Sequence, residues 1–255
     1  MLVGEIDTRF GFDSGIGLTL ISTSLADRVG WVPTGANFSG RRMSGQEVIA
    51  PLGTVSSLSV GTHRQEQVVV GMLDLGGAVG PEDVQGFLSL DPFRSVPLTV
   101  DYPRERIVLE DAFSLAARAS RGTSVTVRVE LENHVAAVFL SLELPAHGSI
   151  SVEVDMGSDL LILNAPLARE LGIDLSEESM RRVEGQDETG HAYVRYFSKL
   201  LGEVWPTGAP AIRQLDPEVM FHAIIYDGLI GDAFLRNFVV TYDLANFRMI
   251  FAVPE

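Results

Sequence analysis

Short apolar runs, each cut off by glycine or a polar turn, recur along this chain from end to end. That texture predicts strands, because a sheet accepts brief alternating or continuous apolar runs whereas a helix needs them spaced by three and four over a longer stretch. Residues 152–154 alternate into Asp155, a turn containing Gly157 follows, and LLILN at 160–164 resumes as a buried strand. Pro166 then opens PLARELG, a predicted short helix with proline in its first turn and Gly172 as its terminator. The first half of the chain repeats this grammar: a strand, the turn Asp13-Ser14-Gly15, the strand TLIS and the short helix SLADRVG ending at Gly30.

The repetition is a true period. Laid over one another without a gap, residues 10–30 and 152–172 bring Asp13 onto Asp155, Gly15 onto Gly157, Leu25 onto Leu167 and Gly30 onto Gly172. The same displacement of 142 residues returns where 86–109 lie over 228–251, with Arg94 on Arg236, Thr99 on Thr241, Asp101 on Asp243 and Arg106 on Arg248. Between these blocks RRMSGQ at 41–46 matches RRVEGQ at 181–186, displaced by 140. A period this long exceeds a solenoid unit and fits a small domain. The chain therefore reads as a tandem duplication, with a first lobe over residues 1–112 and a second over 113–255, paired about a pseudo-two-fold axis. Residues 110–124 lose strand patterning and offer small, polar, helix-compatible residues at the junction. Both copies close with two strands, and Asp101 and Asp243 fall in the turns between them, a structural rather than a catalytic setting.

The copies are unequal at their starts. About three strands precede Asp155 within its copy, while twelve residues precede Asp13. The first lobe then either borrows a leading strand or begins further upstream. A strand borrowed from a second copy of the chain makes a homo-oligomer; otherwise the duplication makes a monomer that is its own pseudo-dimer.

Composition narrows the chemistry. A net charge of -15 argues against a nucleic-acid partner, since phosphates attract basic surfaces. The absence of cysteine excludes disulfides, thiolate metal sites and cysteine nucleophiles. His63, His134, His147, His191 and His222 are scattered without ligand spacing and read as ordinary surface or structural residues. No dinucleotide loop, P-loop or nucleophile elbow occurs, so no cofactor and no metal are expected. No run is long and apolar enough for an integral membrane segment. The given residues open without a signal peptide, which makes the cytoplasm the default compartment and leaves secretion or the periplasm for a chain truncated at its N-terminus.

What remains is the pair of Asp-x-Gly turns. Each follows a hydrophobic strand, precedes another, and recurs at one place in a duplicated unit. Two carboxylates held about 3 Å apart cannot both ionise cheaply and share a proton. The ionised member then takes a proton from a water while the protonated one polarises a carbonyl.

With these turns the chain resembles the pepsin and retropepsin superfamily of aspartic proteases, in the style of bacterial retropepsin-like proteins that carry two such domains in one chain. The resemblance rests on Asp13-Ser14-Gly15, on Asp155-Met156-Gly157, and on the later hydrophobic-hydrophobic-glycine element, Gly228-Leu229-Ile230-Gly231 in copy two and Gly86-Phe87-Leu88-Ser89 in copy one. It implies an all-β, bilobal acid-protease-like fold of two homologous β-barrel-like lobes, with Asp13 and Asp155 as the catalytic pair. A peptide or protein substrate would lie extended in an interlobe cleft. The family also implies a flap hairpin, expected within residues 45–61 and near 185–201, where Tyr193 and Tyr196 stand.

The supporting turn residues depart from the family in one place. The hydroxyl after each aspartate locks the two turns together; Ser14 retains it and Met156 does not, a thioether being a weak acceptor and no donor. Ser158, just past Gly157, is placed to hydrogen-bond Asp155 from outside. The expected function is an aspartic-type endopeptidase. The alternative is a peptide-binding or regulatory module that kept the fold and lost efficient catalysis, and the third reading is one half of an assembly whose partner supplies the missing strand.

Overall fold

A computed structural model describes residues 1–254 apart from 75–82, 179, 188 and 189. By internal contacts the chain divides into two compact units: Met1–Pro92 with Glu130–Ala137, and Phe93–Val129 with Val138–Glu255.

The first unit is built from β1 (Leu2–Val3), β2 (Ile6–Asp7), β3 (Arg9–Phe12), β4 (Leu20–Ser22), β5 (Val32–Arg41), β6 (Glu47–Val60), β7 (His63–Leu73) and β8 (Val84–Leu88). They form one sheet in the order β2-β1-β6-β7-β4-β8-β3, with β5 added on β6. Strand β8 is threaded between β3, to which it is parallel, and β4, to which it is antiparallel. Helix α1 (Thr23–Val29) follows β4 because Ser22 caps it, accepting from the Leu25 backbone N–H at 3.1 Å, and Gly30 ends it in the left-handed region at φ 67°. Such a cap contributes about 1 kcal/mol. The core beneath holds Ile21, Leu25, Val55 and Val70, all fully buried. Residues 130–137 complete this unit: the Ala136 N–H donates to the Gly17 carbonyl at 3.2 Å, and Val135 packs on the cluster of Leu18, Leu20 and Ala50. The first unit thus draws a segment from the second half of the chain.

The second unit starts with β9 (Leu98–Asp101) and β10 (Arg106–Leu109), then α2 (Ala112–Arg121) and β11 (Thr123–Thr126); β12 (Arg128–Glu132) and β13 (Val135–Leu144) follow, each belonging to this unit except for its residues within 130–137. Next come β14 (Gly148–Val154), β15 (Leu161–Asn164), α3 (Leu167–Glu170), β16 (Arg181–Gln186), β17 (Ala192–Lys199), β18 (Glu203–Pro206), β19 (Gln214–Leu215) and β20 (Glu218–His222). The chain ends with β21 (Gly228–Ile230), α4 (Asp232–Leu235), β22 (Val239–Asp243) and β23 (Arg248–Ala252). The larger sheet runs β16-β17-β20-β15-β21-β14-β13-β18-β19, with β12 added on β13.

Six strands of this sheet, β16-β17-β20-β15-β21-β14, repeat the order β5-β6-β7-β4-β8-β3 of the first unit. The register repeats too: Gly11 faces Phe87 and Glu153 faces Leu229, while Ile21 faces Gly86 and Leu163 faces Gly228, each displaced by the same 142 residues. Both threads depend on a glycine. A Cβ on Gly86 would stand 2.4 Å from the Leu20 carbonyl oxygen, and one on Gly228 would stand 2.7 Å from that of Ile162.

A separate sheet in the second unit, β10-β9-β22-β23-β11, carries the terminal hairpins of both copies. Thr99 faces its own repeat partner Thr241 across β9 and β22, their hydroxyls 2.7 Å apart, so a local two-fold passes between them. Thr99 gives its single proton to the buried Glu110 at 2.6 Å, hence Thr241 donates to Thr99. Burial would raise the Glu110 carboxyl, but hydrogen bonds from Ser114, Thr99 and Arg118 outweigh it and hold the group below its ordinary range. Asp101 and Asp243 are wholly buried, paired with Arg106 at 3.0 Å and Arg248 at 2.7 Å. The repeat is expected from sequence to divide the chain at 112–113; its compact units divide at Pro92 and Phe93, because β9 pairs with β22. Among the described residues no helix is long and apolar enough to cross a membrane.

Candidate functional site

The two Asp-x-Gly turns are built alike. In the first unit β3 ends at Phe12, the Asp13 N–H donates to the Leu88 carbonyl at 3.0 Å, and the Asp13 Oδ1 accepts from the Gly15 N–H at 2.9 Å. In the second unit β14 ends at Val154, the Asp155 N–H donates to the Ile230 carbonyl at 3.0 Å, and its Oδ1 accepts from the Gly157 N–H at 2.9 Å. A carboxylate that accepts from the backbone two residues on makes a compact local turn and fixes its own rotamer. In each turn a backbone bond to the threaded strand anchors the aspartate's position.

The residues around these carboxylates differ. Ser14 is fully buried and Met156 half-buried; Gly15 is half-buried and Gly157 exposed. Ser158 does not serve Asp155 in the expected way. Its hydroxyl donates to the Leu160 carbonyl at 3.3 Å and its backbone N–H donates to the Asp155 carbonyl at 3.2 Å, so the side chain buttresses the turn rather than the carboxylate. The following glycines diverge as well. In copy two the Ser158 carbonyl accepts from the Asp232 N–H at 2.7 Å, and a Cβ on Gly231 would stand only 2.3 Å from that oxygen. In copy one the matching Ser89 is buried, its hydroxyl lying 3.1 Å from that of Thr19 and accepting from the Asp91 N–H at 3.2 Å.

A third residue type approaches the second turn. Tyr226 packs edge-on against Phe139 at 5.4 Å, and Arg128 stacks on that phenylalanine at 4.0 Å. Burial pushes the Tyr226 phenol up, and the negative charges of Glu153 and Asp155 push it further, against the opposing charge of Arg128. The phenol therefore stays a neutral hydrogen-bonding group. Nothing in the sequence pattern singled it out, since Tyr226 lies in a loop without repeat partner chemistry.

The hairpins expected as flaps are β5–β6 and β16–β17. The first turns at residues 42–46, so the expected span 45–61 covers mainly its second strand; the second hairpin pairs Gln186 with Ala192, inside the expected span, and residues 188 and 189 of that span lie outside the described residues. The RRMSGQ and RRVEGQ match does not survive in three dimensions. Arg41 ends β5 and faces Glu47 beside the turn, whereas 181–186 lie wholly within β16. Tyr193 and Tyr196 are strand residues of β17, the former stacked under Arg195 at 3.9 Å and the latter beneath Arg182. His222, read from sequence as ordinary, is buried at the end of β20, its Nδ1 3.1 Å from the Val194 carbonyl.

Comparison with known proteins agrees with this architecture. A family model described as Aspartyl protease matches residues 1–91. No curated protein matches the chain in sequence. Among solved structures, conglutin gamma, a basic 7S globulin from lupine seeds, covers 97% of this chain and 88% of its own at 10% identity, with a TM-score of 0.52. The basic 7S globulin from soybean gives the same coverage at 11% identity and a TM-score of 0.53. A retropepsin-like aspartic protease from Rickettsia conorii covers 52% of this chain and 95% of its own at 14% identity, with a TM-score of 0.36, too low to weigh. The chain is similar to the pepsin and retropepsin superfamily, and its fold is of the all-β, acid-protease-like class in two homologous units. At such identities the globulins speak for the fold alone.

Proposed function

We propose that the protein is an aspartic-type endopeptidase in which Asp13 and Asp155 act as a pair on one water. The observation that carries this reading is the sameness of the two turns: an identical pair of hydrogen bonds, at 2.9 and 3.0 Å in each, holds each carboxylate at the end of its strand. In the proposed reaction the ionised aspartate takes a proton from the water as its oxygen bonds to the peptide carbon, and the protonated aspartate hydrogen-bonds the carbonyl oxygen. Collapse of the tetrahedral adduct breaks the C–N bond, and the amide nitrogen leaves with a proton returned from the pair. Ser14, Gly15, Met156, Gly157 and Ser158 are the proposed supporting turn residues, and the substrate is a peptide or protein segment. Cleavage of an unstructured protein by the wild-type chain, and its loss in both Asp13→Asn and Asp155→Asn, tests the pair. Equal turnover by either variant sinks it.

A second reading keeps the peptide site without efficient chemistry. It is favoured by Met156, which puts a thioether where a hydroxyl would act. Under it the wild-type chain binds extended peptides and cleaves none, and both Asp→Asn variants bind as tightly as the wild type.

A further inference from the structure

The repeated register allows the two flap hairpins to be compared side chain by side chain. In the first unit Phe38 faces Ala50 across β5 and β6, and the register that sets Leu52 opposite Gly71 carries Ala50 to Leu73 on β7. In the second unit Val183 faces Arg195 across β16 and β17, and the register that sets Tyr196 opposite Phe221 carries Arg195 to His222 on β20. The anchor for this equivalence is the neighbouring strand, where Leu20 faces Gly71 and its repeat partner Ile162 faces Met220. One row thus reads Phe38–Ala50–Leu73 and the other Val183–Arg195–His222.

The first row is apolar throughout. Ala50 is fully buried in a cluster with Leu18 and Leu20, against which Ile16, Phe38, Leu52 and Leu73 pack. Ile16 and Leu18 come just after Asp13, so this face of the sheet is the one that bears the aspartate turn. The equivalent face in the second unit holds a cation at its centre. The Arg195 guanidinium lies 3.9 Å from the centre of the Tyr193 ring, and His222 meets the same ring edge-on at 6.3 Å. The Arg195 Nε is buried with no hydrogen-bond partner, and among the described residues Arg195 has no carboxylate within ion-pairing distance. Burial lowers the His222 pKa against the hydrogen bond to the Val194 carbonyl, the positive charge of Arg195 lowers it further, and an imidazole offers Arg195 no counter-charge.

A half-buried guanidinium with an unused donor is costly unless an anion arrives to pair with it. Its planar fork matches a carboxylate better than any other common group on a peptide, and the ring beneath holds that fork in place. What sets Arg195 apart is that its Nε is buried and its guanidinium is held against a ring.

We propose that Arg195 is a specificity-determining residue that receives a carboxylate of the bound peptide, either an acidic side chain or a free C-terminus. The proposal rests on the peptide reading above. Its test measures fluorescence anisotropy of labelled extended peptides on the full chain carrying Asp13→Asn, so that binding is read without cleavage. Peptides are paired as Glu against Gln at each position, and as C-terminal acid against amide. One pair is expected to differ at least tenfold in Kd, and the pair that does so identifies the source of the carboxylate. In Arg195→Met that difference falls below twofold while binding of the uncharged member is retained. Tight binding with no preference in any pair, or a preference that survives Arg195→Met, overturns the role of Arg195 and leaves the aspartate reading standing. Failure of every peptide to bind overturns both. The paired peptides on the Asp13→Asn chain decide the matter even where Arg195→Met does not fold.

Discussion

The two units hold their aspartates by the same hydrogen bonds and carry opposite chemistry on equivalent rows of their sheets. In the first unit the row is Phe38, Ala50 and Leu73, and the residue after Asp13 is a buried serine. In the second unit the row is Val183, Arg195 and His222, and the residue after Asp155 is a methionine. Duplication supplies two equal scaffolds, and backbone bonds maintain them because an unpaired N–H or C=O inside a sheet is expensive. Side chains carry no such obligation, so they are free to diverge.

The sharpest way to break the likeness is at the carboxylates. Asp13→Asn and Asp155→Asn are each expected to lower kcat/KM by about 10³-fold, the scale of a lost general acid or base. A loss in one variant alone would mean that the two turns share geometry without sharing a role.

Next in size is the divergence at the glycine. Gly231→Ala drives a Cβ to within 2.3 Å of the Ser158 oxygen and 2.6 Å of the Leu160 oxygen. It is expected to cost about 3 kcal/mol, seen as a fall of about 9 °C in Tm. The matching change in copy one, Ser89→Ala, removes the Thr19 contact and the bond from the Asp91 N–H, and is expected to cost about half as much. Thermal melts of the two variants side by side measure how far the loops have separated.

The cationic row is sharpened by pH. The His222 pKa is lowered in the folded protein, so the unfolded chain binds more protons once pH drops below about 6.5. Stability should therefore fall as pH goes from about 6.5 down through the folded value. His222→Leu, which installs the counterpart seen in copy one, should flatten Tm against pH across that window, whereas the Glu110 contribution is lost only below about 4.5. An unchanged slope in His222→Leu would show that His222 is not the group responsible.

The smallest expected effect is at Met156. Met156→Thr restores a hydroxyl and should add about 0.5 kcal/mol while raising any turnover. An unchanged Tm and rate would mark the methionine as a settled replacement, packed by its own adaptable side chain.

Much of the scaffold was legible along the chain. The displacement of 142 residues, the strand-turn-strand around each aspartate, α1 ending at Gly30 and the hairpins around Asp101 and Asp243 all appear as expected from pattern. These features were readable because each is local: a glycine that a carbonyl approaches closely, a cap, an alternating run. The match of RRMSGQ to RRVEGQ misled for the opposite reason, since similar letters at nearly the right spacing fell on a turn in one copy and a strand in the other. Ala50 and Arg195 are 145 residues apart and Leu73 and His222 are 149, because the loops between the strands changed length. No constant displacement brings those residues together. The sequence by itself determined a duplicated all-β chain with an aspartate at the end of one strand in each copy. Only hydrogen-bonded register, which ties distant strands to one another regardless of loop length, decided that a buried alanine and an arginine stacked on a tyrosine occupy the same place.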